Sequence, residues 1–483
     1  MSSADIAACF PSEHDSLLGT DVESRRRSSK PFYLTRSSLE TRKKEQGGLA
    51  GWWARFGEGG TIFDAFLMEA SQQVGQSLLT LPWAFSLMGY GWAITSLLGL
   101  SLISMWTQHL LIALHAEYRM RLAQDKEHPR HGDEDYIASY HEVFGYLMNK
   151  WWGRFSVVIV FLALLGLTVA QIIATSSNLY LLNESLPKRT YAIICGAVFS
   201  LLSFLPTFRH YRLFVLVGLI ATFYTACFLT FNAISRGPNE GISHDSPTRK
   251  QKFFTGFSDL LFMFGGHTAA IEKADVMDNP KIYDYAYALA TIYVYVITLP
   301  TGICGFHTFG RTAQGNSNAF YMYAKSPARD LGLGLMCFHE FVAFGLFAGP
   351  LWHMWEKFLH VDKSHYLVRT ASRYVVNAFM VLFAVMFPFF GVINSVLGAF
   401  TTTFGSFLIP ALAWNLYYNS DERVKQMPKP IALGLQVPTV KVMNWVFILI
   451  ILVLGLGMGG WASIKTMDEK VKEFELFDRC NGC

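Results

Sequence analysis

A chain of 483 residues that is 52% hydrophobic, 15% aromatic and only 16% charged is too poor in charge for a string of soluble domains. Disorder throughout, collagen-like repeats and a disulfide scaffold are excluded, and a net charge of +4 leaves no footprint for nucleic acid. The composition is that of an integral membrane protein.

Residues 1–57 differ from the rest. Basic clusters at Arg25-Arg26-Arg27 and Arg42-Lys43-Lys44 lie among Ser, Gly and Glu, with no apolar periodicity. They read as a disordered cytosolic tail whose basic patches suit anionic lipid, with Ser28 and Ser29 as candidate phosphorylation sites. No early apolar core is present, so no cleavable signal peptide is expected.

A transmembrane domain is expected over 58–464. Apolar windows occupy 62–88, 91–117, 155–182, 190–205, 213–234, 253–271, 285–309, 331–355, 374–390, 394–418 and 442–464. Most meet the roughly 20 residues that a spanning helix needs. The expected architecture is all-α, with eleven transmembrane helices: helices 1–5 over about 61–236, helices 6–10 over about 253–418 and helix 11 over about 442–464.

The basic residues orient the chain. With the N-terminus inside, inner segments collect 27 of the 40 Lys and Arg and outer segments 13. The odd helix count then puts residues 465–483 outside, as an extracellular C-terminal tail. Asn183-Glu184-Ser185 is a glycosylation sequon in an outer loop. Cys480 and Cys483 fall on the oxidising side, compatible with a disulfide, another bond or free thiols. Metal binding there would need further ligands, so no metal is expected.

Two windows carry interruptions that a plain spanning helix does not use. The first reads Gln72-Gln73-Val74-Gly75-Gln76-Ser77, followed by Pro82, and the sixth reads Phe264-Gly265-Gly266-His267 with Glu272 and Pro280 beyond. Unwound backbone at membrane depth is tolerated inside protein or around a cavity. Gly75 and Gly265 lie 190 residues apart, the length of five helices with their loops. Paired breaks of this kind mark inverted-repeat transporters, with the substrate site between them. No ring of filter residues suggests a channel, and no His-rich cluster or Gly-x-Ser-x-Gly elbow suggests an enzyme.

These residues resemble the plant auxin influx carriers, a branch of the amino acid/auxin permease family. The likeness runs from Gln73-Val74-Gly75-Gln76 and Leu78-Leu79-Thr80-Leu81-Pro82 through Gln171-Ile172-Ile173-Ala174, Ser177-Asn178 and Lys188-Arg189-Thr190. It continues in Phe264-Gly265-Gly266-His267 with Glu272, Asn316-Ser317-Asn318-Ala319-Phe320, Trp355-Glu356-Lys357, Phe387-Pro388-Phe389-Phe390-Gly391 and Gly459-Gly460-Trp461-Ala462-Ser463. The resemblance implies a five-plus-five inverted repeat like the leucine-transporter fold, with helices 1 and 6 broken. It also implies proton-coupled uptake of indole-3-acetic acid at the plasma membrane, with protons as coupling ion and no other cofactor.

A carboxylate suits the N–H groups of a half-helix N-terminus, so Val74, Gly75, Gln76 and Ser77 with Gln73 are candidate substrate contacts. Gly265 and Gly266 belong to the second break. Phe262, Phe264, Phe341 and Phe344 offer surfaces for an aromatic ring, and Gln171 and Asn178 share one face of the third helix. His267 is the leading candidate for substrate and proton handling, because histidine titrates near the external pH. Glu272, His339 and Glu340 are further proton-coupling candidates. Against the plant pattern, Glu69, Asp259 and Glu340 place carboxylates where uncharged residues are expected, while Gln72, Gly75, Ser77 and Trp83 replace Asn, Ala, Val and Tyr. Such carboxylates repel an anion unless protonated or turned elsewhere, and would instead suit an amino group. A proton-coupled permease for aromatic or neutral amino acids is therefore the alternative, and a sensor built on a transporter fold is a third reading.

Overall fold

The computed structural model describes residues 60–128, 136–204 and 211–474, with the side chains of Tyr211 and Arg212 left aside. The basic tail and the Cys480–Cys483 pair lie outside the described residues. Among those described, helices make up the regular structure and no strand occurs. Eight helices are long and apolar enough to cross a membrane.

The first window forms two helices, α1 (Ile62–Val74) and α2 (Ser77–Met88). Thr61 caps α1: its hydroxyl accepts from the Asp64 amide at 3.3 Å and its own amide donates to the Asp64 carboxylate at 2.9 Å, which satisfies both N–H groups. Helix α1 stops at Val74, and α2 restarts at Ser77 after Gly75 and Gln76. Pro82 sits inside α2 and packs against Gly305, where any side chain would collide with the proline ring. At the far end Gly89 adopts φ +80, and a Cβ there would lie 2.5 Å from the Ser246 carbonyl, so only glycine closes this corner.

Next come α3 (Tyr90–Gln124), a short α4 (Tyr140–Leu147), α5 (Lys150–Leu182), α6 (Lys188–Ser200) and α7 (Tyr211–Arg236). The short α4 is absent from the apolar windows because it is amphipathic. It starts with a Ser139–Glu142 capping box, and Tyr140 donates to the Gly405 carbonyl at 2.7 Å. The sixth window is broken as well. Helix α8 (Lys250–Met263) ends in a turn closed by Gly265 N–H on the Phe262 carbonyl, and α9 (Ala270–Asp275) follows a single 3-10 turn at His267–Ala269.

The remaining helices are α10 (Tyr283–Phe309), α11 (Pro327–Phe358), α12 (Tyr366–Met386), α13 (Phe390–Leu397), α14 (Ile409–Tyr417), α15 (Asp421–Lys425), α16 (Val437–Ile450) and α17 (Gly460–Phe474). Two π-helical stretches, Gly398–Leu408 and Ile451–Gly459, join α13 to α14 and α16 to α17. The last helix thus runs past residue 464, where an outer tail was expected to begin. Its extension is polar and exposed, held by a Lys472–Asp468 pair at i, i+4, so hydropathy alone does not detect it.

The packing is that of a protein solvated by lipid. Leu102, Phe231, Ile292 and Leu449 are exposed, whereas Gln108, Asn178, Asn394 and Glu340 are fully buried. Helix α11 packs along α5 and α7, α1 against α10, and α2 against α8. Buried ion pairs tie one end of the bundle: Glu356 with Arg369 and Arg373 at 2.8 and 2.6 Å, and Asp284 with His109 and Lys429 at 2.7 and 2.9 Å. All of these lie in or beside segments that the charge bias assigns to the inside.

Candidate functional site

The two breaks meet at one enclosed cavity. Its wall takes Gln72, Gly75, Gln76 and Ser77 from the first break and Phe262 and Gly265 from the second. Leu167 and Gln171 of α5 and His339, Ala343 and Phe347 of α11 complete it. The free volume is about 10 Å³, room for about one water, so the walls are drawn in around the site.

Its chemistry is neutral and rich in donors. Both amide atoms of Gln76 and the Oε1 of Gln171 have no hydrogen-bond partner, although both residues are buried. Lys273 donates to Gln72 Oε1 at 2.7 Å, which leaves the Gln72 Nε2 as the free donor. The first N–H groups of α2 point out of a helix start, where they attract negative charge. Among the described residues, no carboxylate and no lysine or arginine lines the cavity, and His339 is its single titratable side chain.

His339 is held by small neighbours. A methyl group on Gly75 would sit 3.2 Å from His339 Nε2, and one on Gly218 would sit 3.0 Å from Nδ1. The polar partner of the ring is the Gly218 backbone, which faces Nδ1. The imidazole therefore wedges between the first break and α7, with Nε2 turned toward Gly75.

His267 lies elsewhere. Its Nε2 contacts Thr107 Oγ1 at 3.1 Å and the Ser104 carbonyl at 3.2 Å, and its ring packs edge-on against Tyr287. The 3-10 turn after Gly266 swings the side chain back against α3, away from the cavity wall. Glu272 points to the head of α4, accepting from the Tyr140 amide at 3.4 Å. Sequence reasoning ranked His267 above His339 because it adjoins the break; which way a side chain leaves an unwound turn is set by its neighbours.

Several other candidates make their contacts away from the cavity wall. Gln73 accepts from Thr291 at 3.3 Å, while Phe341 and Phe344 both pack on Phe199. Val74 and Phe264 are fully buried outside the cavity wall, and Gly266 faces Glu69. Asn178 donates to Glu340 at 3.1 Å and accepts from Asn318 at 2.7 Å. The wall residues that the motif reading passed over are Gln72, Leu167, Ala343 and Phe347. The i, i+4 spacing of His339, Ala343 and Phe347 was the available signal for those on α11.

The unexpected carboxylates also find their places. Glu69 pairs with Lys273 and accepts from Tyr283. Glu340 accepts from Thr175 at 2.9 Å and from Asn178, both on α5. Asp259 is buried beside Thr80 and Asn394. None of the three reaches the cavity wall.

A buried polar cavity between two interrupted helices, inside a lipid-solvated helical bundle, is the arrangement of a membrane transporter. The chain belongs to the transmembrane amino acid transporter protein family, whose pattern matches residues 58–454. It is 35% identical over 427 residues to auxin transporter-like protein 4 of Medicago truncatula, covering 88% of each chain. It is also 35% identical over 427 residues to auxin transporter protein 1 of Arabidopsis thaliana, covering 88% of this chain and 87% of that one. Auxin transporter-like protein 1 of rice is likewise 35% identical, over 88% of this chain and 86% of its own. Among solved structures, the Eremococcus coleocola manganese transporter has a similar fold at a TM-score of 0.54 and 13% identity, covering 89% and 90% of the two chains. The protein is a multi-pass membrane transporter and not an enzyme.

Proposed function

We propose that the protein imports indole-3-acetic acid, or a related aryl acetate, across the plasma membrane by proton symport and alternating access. The carrying observation is the cavity itself, which offers neutral donors, a helix start and one histidine, with no carboxylate to hold an α-amino group. Gln72, Gln76, Ser77 and the α2 N-terminus would take the substrate carboxylate. Phe262 and Phe347 would flank the aromatic ring. Protonated His339 would add the charge that favours an anion, linking affinity to external pH.

The eleven helical windows and the paired breaks support a five-plus-five inverted repeat, with α1/α2 and α8/α9 as its corresponding interrupted members. The charge bias supports a cytosolic N-terminus and an outer C-terminus, with Asn183 on the outer face. In this frame the enclosed cavity is a contracted state that must widen to admit an indole acetate, and the Glu69–Lys273 pair belongs to the closed inner half. Glu272 and Glu340 remain candidate proton carriers that act from outside the cavity wall.

The test is uptake of labelled indole-3-acetate in cells expressing the full chain, with unlabelled indole-3-acetate or tryptophan as competitor. Competition by indole-3-acetate alone is the expected result. Equal competition by tryptophan would move the reading to the amino acid permease that the family's description favours. Binding without counterflow of label would leave a sensor.

A further inference from the structure

One turn out from the cavity on each of its two outer half-helices lies a polar residue that the cavity does not use. Thr80 follows Ser77 on α2 and Asp259 precedes Phe262 on α8, both on the side toward Met88 and Lys250. Asn394 of α13 completes the group. All three are buried, at 1%, 2% and 0% exposure, so this is no surface cluster. The side chains of Thr80 and Asn394 are the polar neighbours of the Asp259 carboxyl, and the adjacent Ser258 hydroxyl has no hydrogen-bond partner.

Charge makes the position unusual. The elements packed on α8 are α2, α13, α3, α17 and the two π-helical stretches. Helix α2, α13 and both π stretches contain no Asp, Glu, Lys, Arg or His. The charged residues of α17 begin at Lys465 and meet α8 at its head, where Gln251 donates to Glu469 at 2.8 Å. On α3, Tyr90 bonds His307, His109 is taken by Asp284, His115 and Arg119 by Asp275, and Glu117 by Arg121. Among the described residues, therefore, no counter-charge faces Asp259. An ionised carboxylate sealed there would carry its full desolvation cost, whereas the neutral acid needs only the hydroxyl and amide beside it.

We propose that Asp259, seated between Thr80 and Asn394, is where the driving proton binds from the outer solution, and that its neutralisation lets α2, α8 and α13 close over the loaded cavity. With the outer half open the carboxylate meets water and ionises; a hydronium proton then transfers to its oxygen, and water leaves as the helices pack. After the cavity opens to the inner side, water entering it reaches the carboxylate one turn away, takes up the same proton and hydrates the charge left behind. A conformation that only the neutral form enters is stabilised by external protons, by linkage. Hard-cation binding is disfavoured, because Thr80 donates its hydroxyl to the Ser77 carbonyl at 3.1 Å and few oxygen ligands remain. The inference rests on the proton-symport reading above and assigns its proton a seat.

The experiment uses the full chain in proteoliposomes with labelled indole-3-acetate. Asp259→Asn keeps shape and hydrogen bonding but cannot titrate. It is expected to retain counterflow at equal pH to within about twofold while losing about tenfold or more of the accumulation driven by an inside-alkaline gradient. Asp259→Glu is expected to recover gradient-driven accumulation with a displaced pH profile. Wild-type accumulation indifferent to the gradient would overturn the symport reading itself. Gradient dependence in wild type that persists unchanged in Asp259→Asn would overturn only the assignment of Asp259. Should Asp259→Asn also lose counterflow, the glutamate variant decides: a displaced profile supports the proposal, and one superimposable on wild type overturns it. Accumulation driven by sodium at constant pH and abolished in Asp259→Asn would also overturn it.

Discussion

Glu69 and Lys273 form a buried ion pair that joins the two interrupted spans, from α1 to α9, and Tyr283 of α10 donates to the same carboxylate oxygen. The lysine reaches on to Gln72 of the cavity wall, so the pair both closes one half of the bundle and orients a candidate substrate donor. Lys273 does not stand out in the sequence, and Glu69 does so only as a carboxylate where an uncharged residue is expected. Together they neutralise a carboxylate that would otherwise oppose an anionic substrate.

Breaking one side of this pair leaves an uncompensated buried charge, which costs about 3–5 kcal/mol, whereas removing both sides costs far less. Glu69→Gln and Lys273→Met are therefore each expected to lower thermal stability in detergent strongly, and the double variant to recover most of the loss. Equal destabilisation of single and double variants would show that the two side chains do not act as a unit.

His339 and His267 separate in their expected effects. His339→Gln should raise the KM for indole-3-acetate by about tenfold at acidic external pH and flatten the pH dependence of KM, because the cavity loses its titratable group. His267→Gln keeps an amide able to reach Thr107, so KM should shift by no more than about twofold. Uptake measured across external pH decides between them, and a flattened KM profile in His267→Gln alone would reverse the assignment.

The glycines of the breaks make graded predictions. A methyl group at Gly75 meets His339 at 3.2 Å, and one at Gly265 meets Thr402 Oγ1 at 2.8 Å and the Phe262 carbonyl at 3.2 Å. Gly75→Ala should cut uptake by about tenfold, and Gly265→Ala should cut it further, since a backbone carbonyl cannot move aside. Leucine at either position should abolish uptake while surface expression persists. Transport near wild-type level in either alanine variant would remove that glycine from the site.

Glu340 is bonded to α5 and not to the cavity. Glu340→Gln retains an acceptor for Thr175 and Asn178, and KM for indole-3-acetate should stay within about twofold. Glu340→Ala strands both partners in the interior, at about 1–3 kcal/mol each, and should lower the melting temperature in detergent. A large KM change in Glu340→Gln with stability intact would bring this carboxylate into substrate handling.

The membrane class, the apolar windows that became the eight long helices and the two helix breaks were legible in the amino-acid sequence, because each is a local property. Hydropathy over about 20 residues, the sorting of Lys and Arg, and glycines beside polar side chains need no knowledge of neighbours. The short α4 and the polar end of α17 escaped that reading because they are amphipathic or charged, which hydropathy does not detect. Which histidine faces the cavity was decided only by tertiary structure. Gly75 and Gly218, 143 positions apart in the chain, leave the space that His339 fills, while Ser104 and Thr107 on α3 draw His267 away. The partners of Glu69, Glu340 and Asp259 are likewise long-range. A buried charge takes whichever partner the packed helices bring within reach, and that depends on how the bundle folds rather than on any segment read alone.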